Sequence, residues 1–221
     1  MDVPHATHTM LTFDHLKDVL RGTPLYGLWC ARRNNLVIRA WETAGRPPPP
    51  PDVLKQRNLR RLAKAHGLRV LVVTGTFDGQ MVEAMRKHFD RIYSIELSRE
   101  YHDAARTRFA AFRHINLLLG DSGVVLRKVV ESLDGPALFW LDGHYSGGIT
   151  ARGAKDTPII EELGCLYPER FEHVVMIDDA RLFGQDPGYP TLTEVSEYVH
   201  SRNRNLSIDV VDDAIRITPG R

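Results

Sequence analysis

The sequence predicts a doubly wound α/β fold: a mostly parallel, seven-stranded sheet ending in a C-terminal antiparallel hairpin. Three observations predict it. Short apolar runs bounded by turn residues alternate with segments of helical spacing, as strands buried on both faces alternate with crossover helices. Arg69–Glu96 reads as strand, glycine turn, helix and strand, a complete βαβ unit. The last two apolar runs, Leu206–Val211 and Ala214–Thr218, are separated only by Asp212-Asp213, which suits a hairpin and not a crossover.

In chain order, Leu11–Leu20 and Leu25–Trp41 have helical spacing, with Leu16, Leu20, Leu28, Leu36 and Trp41 available for packing. Trp29, Arg32, Arg33, Arg39 and Trp41 mix aromatic and basic side chains, as helices at a membrane surface do. Packing against the main domain or against the partner subunit of a homodimer is the favoured reading of this segment. Pro47–Pro51 is incompatible with helix and is expected to be a polyproline II spacer. It divides an N-terminal extension, residues 1–51, from the main domain, residues 52–221.

Asp52 is the expected N-cap of a helix from Val53 to about His66, with Gly67 as its stop. A strand at Val70–Val73 follows, then a turn from Gly75 to Gly79. Met81, Val82, Met85 and Phe89 keep helical spacing over Gln80–Phe89, and Ile92–Ile95 is the second strand. The alternation continues with a helix at Arg99–Phe112, a strand at Ile115–Leu119, a helix near Val124–Ser132 and a strand at Ala137–Leu141. After a long glycine-containing loop come a helix at Pro158–Leu166, a strand at Val174–Ile177 and a helix at Leu192–Ser201. Five parallel strands with helical crossovers and a closing hairpin make a Rossmann-like sheet.

The bulk numbers agree with one such domain plus an extension. The chain has 221 residues, 43% of them hydrophobic, and no run approaches the roughly 18–20 apolar residues of a membrane span. No charged-then-apolar leader opens it, so a cytoplasmic location is expected. Cys30 and Cys165 have no metal-type spacing and read as free thiols. The net charge of +1 hides an asymmetry: residues 1–70 carry 12 Lys/Arg against 5 Asp/Glu, the remainder 17 against 23. A basic front can meet an anionic surface or simply form a solvated helix face.

Sheets of this kind bind ligands at the carboxyl ends of their strands. Those ends read Thr74-Gly75-Thr76-Phe77-Asp78-Gly79, Glu96, Gly120-Asp121-Ser122, Asp142-Gly143-His144 and Asp178-Asp179, an acidic rim. Glu96 stands where an acid meets the two hydroxyls of a ribose, so a nucleoside-bearing ligand is expected. A pyrophosphate wants Gly-x-Gly-x-x-Gly and free backbone N–H groups, whereas this turn is Gly-x-x-x-Gly with Asp78 beside it. A sulfonium cation suits an acidic rim better.

Thr74-Gly75-Thr76-Phe77-Asp78-Gly79, Ile95-Glu96-Leu97-Ser98, Gly120-Asp121-Ser122 and Leu141-Asp142-Gly143-His144-Tyr145-Ser146-Gly147-Gly148 resemble successive motifs of the class I S-adenosylmethionine-dependent methyltransferases. The resemblance covers about Val53 to Pro219. It implies S-adenosyl-L-methionine as cofactor, with Thr74, Gly75, Thr76, Phe77 and Gly79 around the methionine part. Glu96 and Leu97 would sit at the ribose, Asp121 and Ser122 at the adenine edge, and Asp142 near the cofactor. The chain departs from the family at Val73-Thr74, where an acid is usual; Asp78 or Asp142 is the substitute for gripping the methionine amino group. Glu96 as a helix cap or the partner of an arginine, and Asp121 as a plain N-cap, are the structural alternatives.

The loops after the fourth and fifth strands carry the reaction chemistry. Asp142, Asp178 and Asp179 would together form an oxygen cage for Mg²⁺, which could bind two vicinal hydroxyls and acidify one. This arrangement is similar to metal-dependent catechol and sugar O-methyltransferases, including the macrocin type. His144, or a neighbouring acid, Asp142 or Asp178, is the expected general base. In the competing account Asp178 and Asp179 hold loop amides and pair with Arg181. Gly147–Pro158 and Leu182–Pro190 are expected as polar walls, with Arg152 and Lys155 favouring a hydroxyl-rich acceptor.

The expected activity is therefore O-methylation of a small or glycosidic metabolite. The rivals are an NAD(P)-dependent oxidoreductase and a non-catalytic module that keeps the pocket. Nucleic acid is a poor candidate for the acceptor, because no Asn/Asp-Pro-Pro-Tyr-type signature follows the fourth strand.

Overall fold

The computed structural model describes residues 24–143, 157–167 and 172–220. The chain divides into two units between Pro47 and Pro48. In the first, helix α1 spans Pro24–Thr43. Trp41 Nε1 donates to the Pro47 carbonyl at 2.7 Å, and Arg46 stacks over the same indole, tying down the chain that leaves the helix. Leu11–Leu20 lies outside the described residues. No described helix is long and apolar enough to cross a membrane. Bends at Pro48 and Pro49 replace the uniform polyproline II run expected there.

The second unit holds a seven-stranded sheet in the order β3-β2-β1-β4-β5-β7-β6. Its strands are β1 Val70–Thr74, β2 Arg91–Glu96, β3 Ile115–Leu119, β4 Leu138–Leu141, β5 Val174–Ile177, β6 Leu206–Val211 and β7 Ala214–Pro219. The first five are mutually parallel, and β7 runs antiparallel to both β5 and β6. The hairpin therefore folds back: its second strand enters the sheet and its first becomes the edge. Asp212 and Asp213 make the two-residue turn with φ of +51° and +61°. Both central residues with positive φ are what a tight hairpin matching the strand twist requires, and Asp tolerates it better than most residues.

Helices α2 (Asp52–Ala65), α3 (Gln80–Met85) and α4 (Arg99–Phe109) cover one face; α5 (Ser122–Glu131), α6 (Ile159–Leu166) and α7 (Leu192–Arg202) cover the other. The two-residue period of the strands sorts the core between them. Leu71, Val73, Leu138, Trp140, Val174 and Met176 face the first layer with Leu59, Met85 and Phe109. Val72, Phe139, Leu141, Val175 and Ile177 face the second with Leu126, Leu163 and Val195. Strands buried on both faces read as continuous apolar runs for this reason. Each fully buried Leu, Ile or Phe here contributes roughly 1.5–3 kcal/mol.

Several helix ends differ from the sequence expectation, among them that of α4, which stops at Phe109 and not at Phe112. Asp52 is the first helical residue, not the cap; Pro51 holds the cap position without a side-chain bond. Asp52 instead sits in the first turn, where a carboxylate favours the helix dipole. Helix α3 stops at Met85, a turn early, and His88 N bonds back to the Met85 carbonyl. Phe89 nevertheless reaches the core at 5% exposure, so the apolar spacing persisted past the helix that was inferred from it.

Strand order reverses between β1 and β4, the topological switch at which the two halves of the sheet diverge. The crevice at their carboxyl ends is where the polar rim gathers.

Candidate active site

Thr74 ends β1 fully buried, and the next residue, Gly75, has φ +80°. A Cβ on Gly75 would overlap the Asp142 carbonyl oxygen and lie 2.9 Å from its carbon, so only glycine lets the β1 and β4 ends approach so closely. The approach is held from the other side: Asp142 N donates to the Thr74 carbonyl and to Thr74 Oγ1, each at 3.2 Å. Thr76 Oγ1 and Ser94 Oγ lie 2.6 Å apart beneath the turn.

Glu96, 7% exposed at the end of β2, organises this turn. One carboxylate oxygen accepts from Phe77 N and the other from Ser98 N, both at 2.8 Å. A carboxylate has about four acceptor sites, so each oxygen retains one for a further donor such as a ribose hydroxyl. Cofactor grip and local capping are thus compatible in one side chain. Phe77 (φ +48°) and Leu97 are exposed apolar flanks beside it, and Phe77 packs against Tyr101 with ring centroids 4.8 Å apart. Gly79 N closes the turn on the Thr76 carbonyl at 2.9 Å.

The carboxylate of Asp78 is engaged by Gln80. Its oxygens accept from Gln80 N at 3.1 Å and Gln80 Nε2 at 2.6 Å, initiating α3. At the end of β3, Asp121 is the N-cap of α5, accepting from Gly123 N at 2.9 Å, and Ser122 is nearly buried beside it. The tip of β4 is polar as well: around Gly143, the oxygens Thr74 Oγ1, Ser122 Oγ and Glu162 Oε1 converge within 3.2 Å of where a Cβ would stand. Glu162, 1% exposed on α6, was not anticipated from the sequence. Its spacing with Ile159, Leu163 and Leu166 marks the buried face of α6, and a carboxylate on such a face is the signal that would have found it.

The end of β5 is built differently. Lys55 Nζ, carried on the first turn of α2, lies 2.5 Å from Asp178 Oδ2 and 3.9 Å from Asp179 Oδ1. Arg181 bridges Asp179 Oδ1 at 2.7 Å and Asp213 in the hairpin turn. Asn58 Nδ2, one helical turn after Lys55, donates to Asp212 Oδ2 at 2.9 Å. Asp178 is 4% exposed, and its Oδ1 has no hydrogen-bond partner among the described residues. Burial alone would lower Lys55, but Asp178, then Asp179 and Asp142, outweigh it and hold the ammonium above its ordinary pKa. Burial pushes the Asp178 carboxyl up, and Lys55 is the charge that opposes this.

Two of the three carboxylates expected to cage a divalent cation, Asp178 and Asp179, thus lie against an ammonium, and among the described residues no group of three His, Cys, Asp or Glu side chains is arranged to hold a metal. The donor set does not fit Mg²⁺ as it stands: Asp178 has given its best-placed oxygen to Lys55. The pairing of Asp179 with Arg181 follows the competing sequence account. His144, with Arg152 and Lys155, lies outside the described residues.

Comparison with solved structures agrees with the topology. The O-methyltransferase TomG from Streptomyces achromogenes, involved in tomaymycin synthesis and solved with S-adenosylmethionine, superposes with a TM-score of 0.54 at 19% identity, over 85% of this chain and 89% of its own. An O-methyltransferase from Bacillus cereus, in complex with S-adenosylhomocysteine, gives 0.53 at 14% identity over 94% and 96%. The chain has the class I methyltransferase fold. The N-methyltransferase NodS from Bradyrhizobium japonicum shares that fold with a TM-score of 0.51 at 14% identity, over 77% of this chain and 97% of its own. The methyltransferase fold therefore does not by itself choose between oxygen and nitrogen acceptors. No protein-family model matches the chain, and no curated protein matches it in sequence.

Proposed function

We propose that this protein is an S-adenosylmethionine-dependent methyltransferase that acts on oxygen of a small or glycosidic hydroxylated metabolite. The observation that carries the reading is the cradle at the β1/β4 switch: a left-handed Gly75 touching the Asp142 backbone, with Glu96 pinning the turn through both oxygens. S-adenosylmethionine would supply a sulfonium methyl group open to in-line attack.

The protein's share is positioning. Glu96 offers its remaining acceptor sites to the ribose hydroxyls, flanked by Phe77 and Leu97. Asp121 and Ser122 stand at the adenine edge, and Thr74, Gly75, Thr76 and Gly79 shape the wall for the methionine part. Asp142, on the side facing the β4–β5 loops, is the acid nearest the amino group and the sulfonium charge. Fixing two reactants in line supplies much of the acceleration that such a displacement needs. The acceptor enters over the β4 and β5 ends, where a loop base, His144, would take the departing proton. The polar character of this end favours a hydroxyl-bearing acceptor over an apolar one.

The test is a calorimetric titration of the purified chain with S-adenosylhomocysteine. Binding with a Kd in the micromolar range, about −8 kcal/mol, is expected. No binding, with NADPH bound instead, would transfer the pocket to a dinucleotide and overturn the reading.

A further inference from the structure

We propose that Lys55 is the resident cation of the acceptor end: its ammonium sits against Asp178 and Asp179, two of the three carboxylates expected to hold a divalent metal with Asp142, so that the protein works there without a metal. The inference rests on the methyltransferase reading for its functional meaning, though not for its geometry.

Three observations carry it. Lys55 Nζ sits on Asp178 at 2.5 Å and within 3.9 Å of Asp179, with its side chain only 12% exposed. That position is reached from α2, a helix outside every strand-end motif, and the cation is therefore built into the scaffold. Second, the carboxylates that act electrostatically on Lys55 are Asp178, Asp179 and Asp142, the same three that make up the expected metal cage. Third, Asp178 Oδ1 remains buried and without a partner among the described residues. A buried carboxylate oxygen without a donor is costly, and it marks the place where a ligand's O–H or N–H would be received.

The chemistry differs from that of a metal in a definite way. A divalent ion binds two vicinal hydroxyls directly and acidifies one of them. An ammonium with its protons directed at carboxylates does neither. It opposes the effect of burial on Asp178 and holds the carboxylate in place, leaving Oδ1 to accept a hydrogen bond from the acceptor and to orient it toward the methyl group. Lys55 is thus a positioning residue acting through Asp178. The acceptor class it implies is one recognised by a single hydroxyl or amine proton, with no need for a vicinal diol.

The experiment uses the full chain, washed free of metal with a chelator, and Mn²⁺ alone as probe, read by loss of the free-ion electron paramagnetic resonance signal. Wild type should take up no Mn²⁺ at the carboxylates. Lys55→Gln, which removes the ammonium and leaves Asp142, Asp178 and Asp179, should bind Mn²⁺ about tenfold or more tightly than wild type. Lys55→Arg keeps a cation there and should again exclude Mn²⁺. Stoichiometric uptake by wild type would overturn the proposal. So would equal absence of uptake in wild type and a folded Lys55→Gln, because the carboxylates would then not be a cation site at all. If Lys55→Gln fails to fold, the wild-type titration still decides: Mn²⁺ uptake, or a raised thermal midpoint in millimolar Mn²⁺, overturns the proposal, and neither effect supports it. S-adenosylhomocysteine binding in the same samples separates the two readings. Nucleoside binding with wild-type Mn²⁺ uptake sinks the lysine proposal alone, whereas Mn²⁺ exclusion without nucleoside binding sinks the methyltransferase reading alone.

Discussion

The two halves of the carboxyl edge solve the same problem, holding acids in a half-buried crevice, by opposite means. On the β1–β3 side the acids are satisfied by backbone N–H groups a few residues away or on the neighbouring turn: Glu96 by Phe77 and Ser98, Asp121 by Gly123, Asp78 by Gln80. On the β5 side they are satisfied chiefly by charged side chains: Asp178 by Lys55 from a distant helix, Asp179 by Arg181 two residues on, and Asp213 by the side chain and backbone N–H of Arg181. Backbone partners cannot be mutated away and need little ordering of side chains. A charge partner can be lost in one substitution, and then its carboxylate is stranded in a low dielectric. One half is fixed by chain geometry, the other by a small ion network.

That contrast can be broken most forcefully at Lys55. Replacing it by Met removes one partner of a buried pair and leaves Asp178 uncompensated, with an expected loss of about 3–5 kcal/mol. Chemical denaturation of the variant beside wild type measures it. A loss below about 1 kcal/mol would place the pair with ordinary surface ion pairs and erase the contrast.

Acid tests whether the contrast is local to this edge. His173 lies at the opposite end of the sheet, fully buried, accepting from Ala137 N through Nδ1 at 3.2 Å and packed edge-on to Phe139. Burial pushes its pKa down to about 4. Between that value and the ordinary 6.5, the unfolded chain binds a proton that the folded chain refuses. The stability contributed by neutral His173 is therefore fully present above about pH 6.5 and lost as pH falls toward 4, by at most ~3 kcal/mol. His173→Gln should flatten that part of the pH–stability curve while leaving S-adenosylhomocysteine affinity near neutral pH unchanged. A matching loss of affinity would mean that the two ends of the sheet are coupled.

The smallest change sharpens the description of the backbone-held half. Glu96→Ala should weaken S-adenosylhomocysteine binding by about 1.5–3 kcal/mol, the range for hydrogen bonds to a charged group, read by calorimetry. Glu96→Gln keeps one acceptor oxygen and should fall between. Unchanged affinity in the alanine variant would remove Glu96 from the ligand and leave it as the pin of the turn.

The same difference explains what the sequence could show. Strand positions, the glycine turn, Glu96 and the Asp121 cap all rest on neighbours within one βαβ unit, and their residue types signal their geometry. The seven-stranded sheet was legible for that reason, down to the two-residue Asp212-Asp213 turn. Lys55 was not, because 123 positions separate it from Asp178 and nothing in the local pattern of α2 distinguishes it from a solvated lysine. Asn58 shares its face and reaches Asp212 across 154 positions, equally unannounced. Glu162 was hidden among apolar residues whose spacing explained the helix without it. The N-cap reading of Asp52 failed by one position because Pro51 can end the extended segment without a side-chain bond. Local chemistry was readable; chemistry assembled by tertiary packing was not.

The hairpin reversal has a consequence for how the domain is made. Because β7 lies between β5 and β6, with Ile215 and Ile217 fully buried, the hydrogen-bonding edge of β5 is covered by residues that leave the ribosome some forty positions after it. Until then β5 presents an open apolar edge to any other nascent chain. Arg181 also waits for Asp213, which arrives with the same hairpin. Vectorial synthesis therefore completes the nucleoside half first and the acceptor half last, so that premature termination before Ala214 would leave the Glu96 cradle formed beside an unfinished, adhesive sheet.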